Sequence, residues 1–178
     1  MKSTTQTSLF IFFLCIIVYA PLPAISISLY ESLCNEYNPS INIKLCLKIL
    51  KTDPKITSAT NYHDLSEHIL YMVLNNAAAV QLDYFEKRKL FPTDPALNSC
   101  VNEFYETIIN ELLKAVSLLP SDPKTARESA IAAGFGANKC QKAFENPEEK
   151  NVRAAVHLRN NEMYFLCVIA SLSIFHLM

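Results

Sequence analysis

The sequence contains very little glycine, since Gly134 and Gly136 are the only two among 178 residues. Because β-hairpins and β-barrels depend on glycine-rich turns, this scarcity argues against an all-β fold. The chain also lacks an excess of charge of one sign, with 16 basic and 17 acidic side chains. A nearly neutral chain has no summed field that would draw it to nucleic acid or to an anionic membrane. We therefore expect an all-α protein that binds neither.

Recognisable motifs of catalysis and metal binding are absent as well. None of the four histidines lies in an HExxH context, and the chain has no GxSxG or glycine-rich phosphate-binding motif. His63 and His68 are five residues apart, whereas two ligands on one helix face need the i, i+4 spacing. Glu148 and Glu149 suit the start of a helix and need no acid–base role. The sequence thus predicts no catalytic residue, no metal site and no cofactor.

Residues 1–26 have the pattern of a secretory signal peptide. Lys2 supplies the positive start, Leu9 to Ala20 form an apolar run, and Ala24 is a small residue near a plausible cleavage point. The run is short for a membrane span, which needs ~20 residues. We expect a secreted protein whose mature domain covers residues 27–178.

Secretion affects how the cysteines are interpreted, because an oxidising compartment lets thiols pair. Cys15 would leave with the signal peptide, so the mature chain would keep Cys34, Cys46, Cys100, Cys140 and Cys167. The number is odd, so at least one thiol stays unpaired or pairs with another chain. Four cysteines allow three connectivities, and spacing alone does not choose among them. A local Cys34–Cys46 bridge is natural because the two residues flank a turn at Asn38, Pro39 and Ser40.

Apolar residues recur mainly at spacings of three and four in the rest of the chain, which predicts amphipathic helices. A short helical hairpin is expected at about 28–53 and a bundle at about 61–177. The first bundle helix would span Asn61 to Lys89. The second would run from Pro95 to Leu119, because Asp94 and Pro95 form a cap-then-proline start and Pro120 ends the helix.

Two further helices complete the predicted bundle. Asp122 and Pro123 repeat the cap-then-proline start, and the last helix would begin near Glu148. One stripe of the third helix consists of small side chains, which permit close helix packing: Ala126, Ala130, Ala133, Ala137 and Cys140. Short proline-containing connections favour an up-down-up-down four-helix bundle.

Four stretches of this chain, in this order and spacing, are similar to the plant invertase and pectin methylesterase inhibitor family. The first is the cysteine pair around NPSINIK followed by LKILKTDPK. The others are DPALNSCVNEFYETIINELLKAV, ARESAIAAGFGANKCQKAF and HLRNNEMYFLCVIASL. The resemblance covers essentially the whole mature chain.

The resemblance implies a helical hairpin packed on a four-helix bundle, with disulfides Cys34–Cys46 and Cys100–Cys140. Cys167 would be the odd thiol, and a weak dimer through Cys167 or the hairpin is one expectation. Family members block the active site of a secreted carbohydrate enzyme, either pectin methylesterase or acid invertase, and perform no chemistry themselves. The resemblance thus implies secretion to the cell wall (apoplast) rather than to the vacuole.

Candidate target-binding residues follow from the same resemblance. The invertase-inhibiting members carry a Pro-Lys-Phe motif at the start of the third helix, where this chain has Pro123, Lys124 and Thr125. The polar sides of the second and third helices supply the other candidates: Thr107, Asn110, Glu111, Lys114, Arg127 and Glu128. The alternative interpretation is a helix cap followed by ordinary solvated side chains.

A second hypothesis from another class is a secreted or lipid-tethered helical structural protein with no enzyme target. It depends on the apolar run Met163 to Met178, which could be the removable tail of a lipid-anchor signal. Asn160 and Asn161 supply neither a small-residue site nor a polar spacer for such a signal. The run is better interpreted as the last bundle helix.

Overall fold

The computed structural model describes residues 27–36, 42–145 and 150–178, and these residues form helices and connecting turns without a β-strand. The all-α prediction is confirmed. Three sequence predictions lie outside the described residues: the signal peptide, the turn at residues 38–40 and the Glu148–Glu149 pair.

The N-terminal hairpin consists of α1 (Leu29–Glu36) and α2 (Ile43–Leu50). The Cys34–Cys46 disulfide joins the two helices, with 5.7 Å between the Cα atoms. A single-turn helix, α3 (Pro54–Thr57), then leads into the bundle. The hairpin prediction and its disulfide are confirmed.

The bundle begins with α4 (Tyr62–Leu90). The next helix comprises α5 (Pro95–Ser99), a π-helical turn (Cys100–Phe104) and α6 (Tyr105–Leu118), and it is followed by α7 (Pro123–Ala143) and α8 (Lys150–Phe175). The helices α4 and α7 each pack against both α6 and α8. This is the predicted up-down-up-down arrangement, in which consecutive helices are neighbours.

Three aspartate–proline pairs define where helices begin. The Asp94 carboxylate accepts a hydrogen bond from the Leu97 N–H at 2.9 Å, and Asp122 accepts one from the Thr125 N–H at 3.1 Å. Asp53 caps α3 in the same way. A proline follows each aspartate at the first helical position. Proline suits this position because it has no N–H that would lack a partner and because its φ angle is already helical.

The predicted second helix is present, and one part of it departs from α-helical geometry. At Cys100–Phe104 the backbone forms a π-helical turn, in which the Tyr105 N–H donates to the Cys100 carbonyl five residues earlier. The Cys100–Cys140 disulfide begins at the same residue, with 5.0 Å between the Cα atoms. Apolar periodicity did not reveal the turn because Val101 and Tyr105, four residues apart, are both buried, as in an ordinary helix.

The small-residue face of α7 packs in the centre of the bundle. All five predicted members of that stripe are buried. Gly136 lies directly against α6, where an added Cβ would be 2.6 Å from Ile108 Cγ1. Gly134 faces α8 with slightly more room, since its added Cβ would be 3.3 Å from Cys167 Cβ. Gly136 is therefore required for close packing, whereas Gly134 has room for a small adjustment.

One buried polar network connects all four bundle helices. The Asn160 side-chain oxygen on α8 accepts hydrogen bonds from the hydroxyls of Tyr105 at 2.8 Å and Tyr84 at 3.3 Å. The Asn160 amide donates to Cys140 Sγ on α7 at 3.2 Å. Asn160 is fully buried, so these bonds offset the cost of removing its polar groups from water.

The hairpin packs at the end of the bundle where α4 begins and α8 ends. His176, just after α8, forms a 2.7 Å contact from Nε2 to Oε2 of Glu36 on α1. The same imidazole stacks on the Tyr62 ring, with centroids 3.9 Å apart. This aromatic and polar cluster attaches the hairpin to the bundle.

The apolar C-terminal run lies largely inside α8, as its interpretation as a bundle helix requires. Its buried members include Met163, Leu166, Cys167, Ile169, Ala170 and Ile174. No helix in the described part of the chain is both long enough and apolar enough to cross a membrane.

Candidate target-binding face

The antiparallel helices α6 and α7 present the exposed surface that contains most of the candidate residues, and we call it the α6–α7 face. On α6, Thr107, Asn110 and Lys114 are exposed and Glu111 is half-buried. Their spacings of three and four place them on one side of the helix, opposite the buried Ile108 and its neighbours. The predicted α6 residues thus lie together.

The α7 half of the face begins with Lys124 and Glu128, both exposed and one helical turn apart. The same stripe continues to Phe135 and Lys139, and the Phe135 side chain is 56% exposed. Neither Lys124 nor Glu128 makes an ion pair within the described part of the chain. Both charges are therefore available to a partner.

Phe135 is a functional candidate that sequence analysis missed. An exposed aromatic ring is the type of side chain that dominates binding energy at protein interfaces. The signal was present in the sequence, because Phe135 lies between the two buried glycines, in the direction opposite to the alanine stripe.

Several candidate residues on the face are constrained by local bonds. Lys114 Nζ lies 3.9 Å from Glu111 Oε2, and the Thr107 hydroxyl donates to the Glu103 carbonyl at 2.7 Å. These interactions hold the α6 side chains against their own helix. Because they are partly exposed, they can be exchanged for contacts with a partner at low cost.

The Pro123-Lys124-Thr125 segment is the first turn of α7. The Thr125 hydroxyl donates to Asp122 Oδ2 at 2.6 Å, and the Thr125 N–H donates to Oδ1. These two bonds hold the pKa of Asp122 below its usual range. Thr125 thus belongs to the helix cap, and Lys124 is the exposed group of the segment.

Arg127 is not brought together with the other candidates. Its guanidinium lies over the Phe175 ring of α8, with 5.3 Å from Cζ to the ring centroid. Arg127 is half-buried against α8, whereas Lys124 is exposed. Sequence analysis placed Arg127 on the outward stripe because it lacked the position of α8.

A separate apolar groove of about 540 Å³ lies between α4 and the π-helical turn. Leu82 is 62% exposed there, and the Phe85 ring is flanked by the cationic groups of Arg88 and Lys89. The groove is lined by residues of α4, by Val101 and Asn102 of the π-helical turn and by Glu106 of α6, and no residue of α7 lines it. It shares none of the candidate residues.

Within the described residues, His63, Asp64 and Glu67 have side-chain ligand atoms within 4.8 Å of one another. They lie in the first turns of α4, where the helix dipole opposes a cation. Asp64 also accepts a hydrogen bond from the Asn61 amide at 2.7 Å. His68 is not part of this group.

Cys167 is fully buried in α8, and burial raises the pKa of its thiol to about 12. A disulfide between two folded chains cannot form at a sulfur that solvent does not reach. We therefore do not expect a dimer that is linked through Cys167. A weak dimer through the hairpin stays a prediction.

Comparison with known proteins identifies the family. A family model described as plant invertase/pectin methylesterase inhibitor matches residues 28–172. The chain belongs to this family. Membership of this family supports a role as an enzyme inhibitor. The disulfides Cys34–Cys46 and Cys100–Cys140 are those that the resemblance implied.

Solved structures agree on the fold of this family member. A crystal structure of a pectin methylesterase inhibitor from Arabidopsis thaliana is 24% identical, with a TM-score of 0.60, and the match covers 84% of this chain and 95% of that one. A mutant form of an Arabidopsis pectin methylesterase inhibitor is also 24% identical, with a TM-score of 0.69 over 83% and 96% of the two chains. A search of curated proteins finds no match.

Proposed function

We propose that this protein is a secreted inhibitor that binds a pectin methylesterase through the α6–α7 face and blocks access to its active site. The observation that carries the proposal is an exposed aromatic ring, Phe135, on the same helical stripe as the unpaired charges of Lys124 and Glu128. An apolar anchor surrounded by polar groups is the arrangement that protein interfaces favour. Family membership supplies the enzyme-inhibitor role.

Two considerations support pectin methylesterase as the target. The similar solved structures are described as pectin methylesterase inhibitors. In addition, Thr125 occupies the position where invertase-inhibiting members carry an aromatic ring, and its hydroxyl is bonded to Asp122. The α7 start therefore lacks the large side chain of the invertase motif.

The test is residual activity of purified pectin methylesterase and of acid invertase at several inhibitor concentrations. We expect stoichiometric, saturable loss of pectin methylesterase activity. Phe135→Ala should weaken inhibition by about 30-fold, because hot-spot truncations cost roughly 2 kcal/mol. Lys124→Ala should weaken it less, by about fivefold, because a rim charge contributes roughly 1 kcal/mol.

Leu82→Ala is the matched control, since it removes a similarly exposed apolar side chain from the α4 groove, which contains none of the candidate residues. Its inhibition constant should be unchanged. Equal losses for Leu82→Ala and Phe135→Ala would contradict the assignment to the α6–α7 face.

Acid invertase is the second candidate target, and Pro123 with Lys124 at the start of α7 favours it. The exposed Lys124 ammonium could pair with a carboxylate of an acidic active site. Inhibition of invertase alone, lost on Lys124→Ala, would select this candidate. No inhibition of either enzyme would favour a secreted or lipid-tethered helical protein without an enzyme target.

Secretion of the mature domain, residues 27–178, to the cell wall belongs to the same proposal. Mass spectrometry of the exported protein tests it, because cleavage near residue 26 and retention of the C-terminal Leu and Ile residues are both expected.

A further inference from the structure

Four exposed lysines lie close together in sequence on the second arm of the hairpin and the short helix that follows it. Lys44, Lys48 and Lys51 are exposed and spaced four and three residues apart, so they follow one face of α2. Lys51 continues the helical backbone as the C-cap of α2, and the three residues span about 10 Å along the helix. Lys55 follows in α3 and is also exposed. We call these four residues the lysine row.

The neighbouring acids form no ion pair with the lysine row, although they carry charge close to it. The pKa of Glu31 is lowered mainly by its hydrogen bonds from Ser28 and, least of all, by the charge of Lys51. Glu31 accepts hydrogen bonds from the Ser28 N–H and hydroxyl, and Glu36 contacts His176. Asp53 caps α3 through the Lys55 N–H. In the described parts of the chain no carboxylate lies within 4 Å of any of the four ammonium groups. The row thus keeps its charge in a protein whose net charge is −1.

An open groove of about 510 Å³ begins where the lysine row ends. Its wall on α4 carries the Tyr71 ring, which is 45% exposed, and its other wall includes Lys55 itself. The remaining lining residues are mostly polar: Asp53, His68, Met72 and Asn75. An exposed aromatic ring beside hydrogen-bonding groups suits a sugar ring, whose faces are apolar and whose edge carries hydroxyls.

We propose that the lysine row and this groove bind a linear polysaccharide of uronic acid residues, with the carboxylates along the lysines and one sugar ring on Tyr71. Spaced ammonium groups attract the repeated carboxylates of such a chain. A membrane surface fits less well, since α2 exposes no large apolar side chain that could enter lipid. The site is formed by residues of the hairpin, α3 and the first half of α4, and it contains no residue of the α6–α7 face.

The experiment measures binding of the full-length mature protein to immobilised polygalacturonate and to its fully methyl-esterified form, which has the same backbone without the charge. We expect binding to the free acid alone. Raising the ionic strength to about 1 M, where the screening length is about 3 Å, should abolish it. The triple variant Lys44→Ala, Lys48→Ala, Lys51→Ala should lose about tenfold in affinity, and Tyr71→Ala about fivefold.

The matched control removes the same charge from α7 with Lys124→Ala, Lys139→Ala and Lys142→Ala, all exposed lysines. This control should bind polygalacturonate as the unmodified protein does. Equal binding of the methyl-esterified chain, or an equal loss in the α7 control, would overturn the proposal.

Binding to phosphatidylserine vesicles that is insensitive to Tyr71→Ala would overturn it too, by assigning the lysines to a membrane. Enzyme inhibition by the α2 triple variant, measured in parallel, should be unchanged, so the two proposals can fail separately.

Discussion

Two glycines on one helix, only two residues apart, differ in the space that their neighbours leave. An added Cβ at Gly136 would lie 2.6 Å from a side-chain carbon of Ile108, well inside the contact distance. At Gly134 the closest atom would be 3.3 Å away. Both positions are buried in α7, so solvent exposure does not distinguish them.

Gly136→Ala should therefore destabilise the protein. We expect a loss of about 1–2 kcal/mol, because overpacking at Ile108 exceeds the gain of about 1 kcal/mol that alanine brings to a helix. Gly134→Ala is the matched control and should be close to neutral. Urea denaturation of both variants measures the difference, and equal unfolding free energies would refute the argument.

At the scale of elements, the hairpin is attached to the bundle by buried apolar residues such as Leu33 and Leu50 and by one polar and aromatic cluster. His176 contacts Glu36 of α1 and stacks on Tyr62 of α4, so a single imidazole joins three elements. The hairpin also has its own disulfide, which holds α1 and α2 together whether or not they pack on the bundle. Loss of the cluster should thus loosen the contact between the hairpin and the bundle, and leave the hairpin intact.

His176→Ala should raise hydrogen exchange in α1 several-fold, because it removes about 1 kcal/mol of local stabilisation. Exchange in the buried part of α7 should stay unchanged. His157→Ala, at a half-buried position on α8, is the control and should affect neither region. Hydrogen-exchange mass spectrometry gives both readouts, and uniform acceleration across the molecule would contradict a local role.

The elements differ in how far the sequence predicts them. Helix starts at Asp94 and Asp122 were predictable, because capping is a local interaction with a clear residue signal. The π-helical turn was not, since one extra residue in a turn leaves the apolar spacing around Val101 intact. Disulfide pairing followed from family resemblance and not from spacing, which allows three connectivities.

The residues of the candidate site also differ in whether the sequence predicts them. Thr107, Asn110, Glu111 and Lys114 were predictable because they follow the period of one helix. Phe135 was predictable from the period of α7 and was missed. The position of Arg127 depended on where α8 lies, which is a tertiary relation that no single-helix pattern contains. The Asn160 network was unpredictable for the same reason, since its members come from four helices.

For the molecule as a whole, the buried tyrosines predict sensitivity to alkali. Burial is the main reason that the pKa values of both Tyr84 and Tyr105 are raised well above 10. Above pH about 10 the unfolded chain releases these two protons and the folded chain keeps them, so stability falls as pH rises. Below pH 10 both states hold the protons, and stability does not depend on them.

Between pH about 10 and 12 we expect the free energy of unfolding to fall by roughly 4 kcal/mol per pH unit, or ~1.4 kcal/mol for each tyrosine and for the buried Cys167 thiol, whose pKa is raised to about 12. Tyr84→Phe and Tyr105→Phe should each remove about a third of this slope, and the double variant about two thirds of it. Urea midpoints across the alkaline range provide the measurement. A double variant that kept the original slope would exclude the tyrosines as its cause.

The two disulfides have a topological consequence for the whole molecule. They close separate loops, with sequence separations of 12 and 40 residues, and on the chain-entropy model contribute about 3 and about 4 kcal/mol against unfolding. Neither loop encloses the other, and the peptide between Cys46 and Cys100 is their only covalent connection. A single protease cut in the exposed residues before α4 would therefore break the covalent connection between the hairpin and the bundle. Each of the two parts would keep its own disulfide.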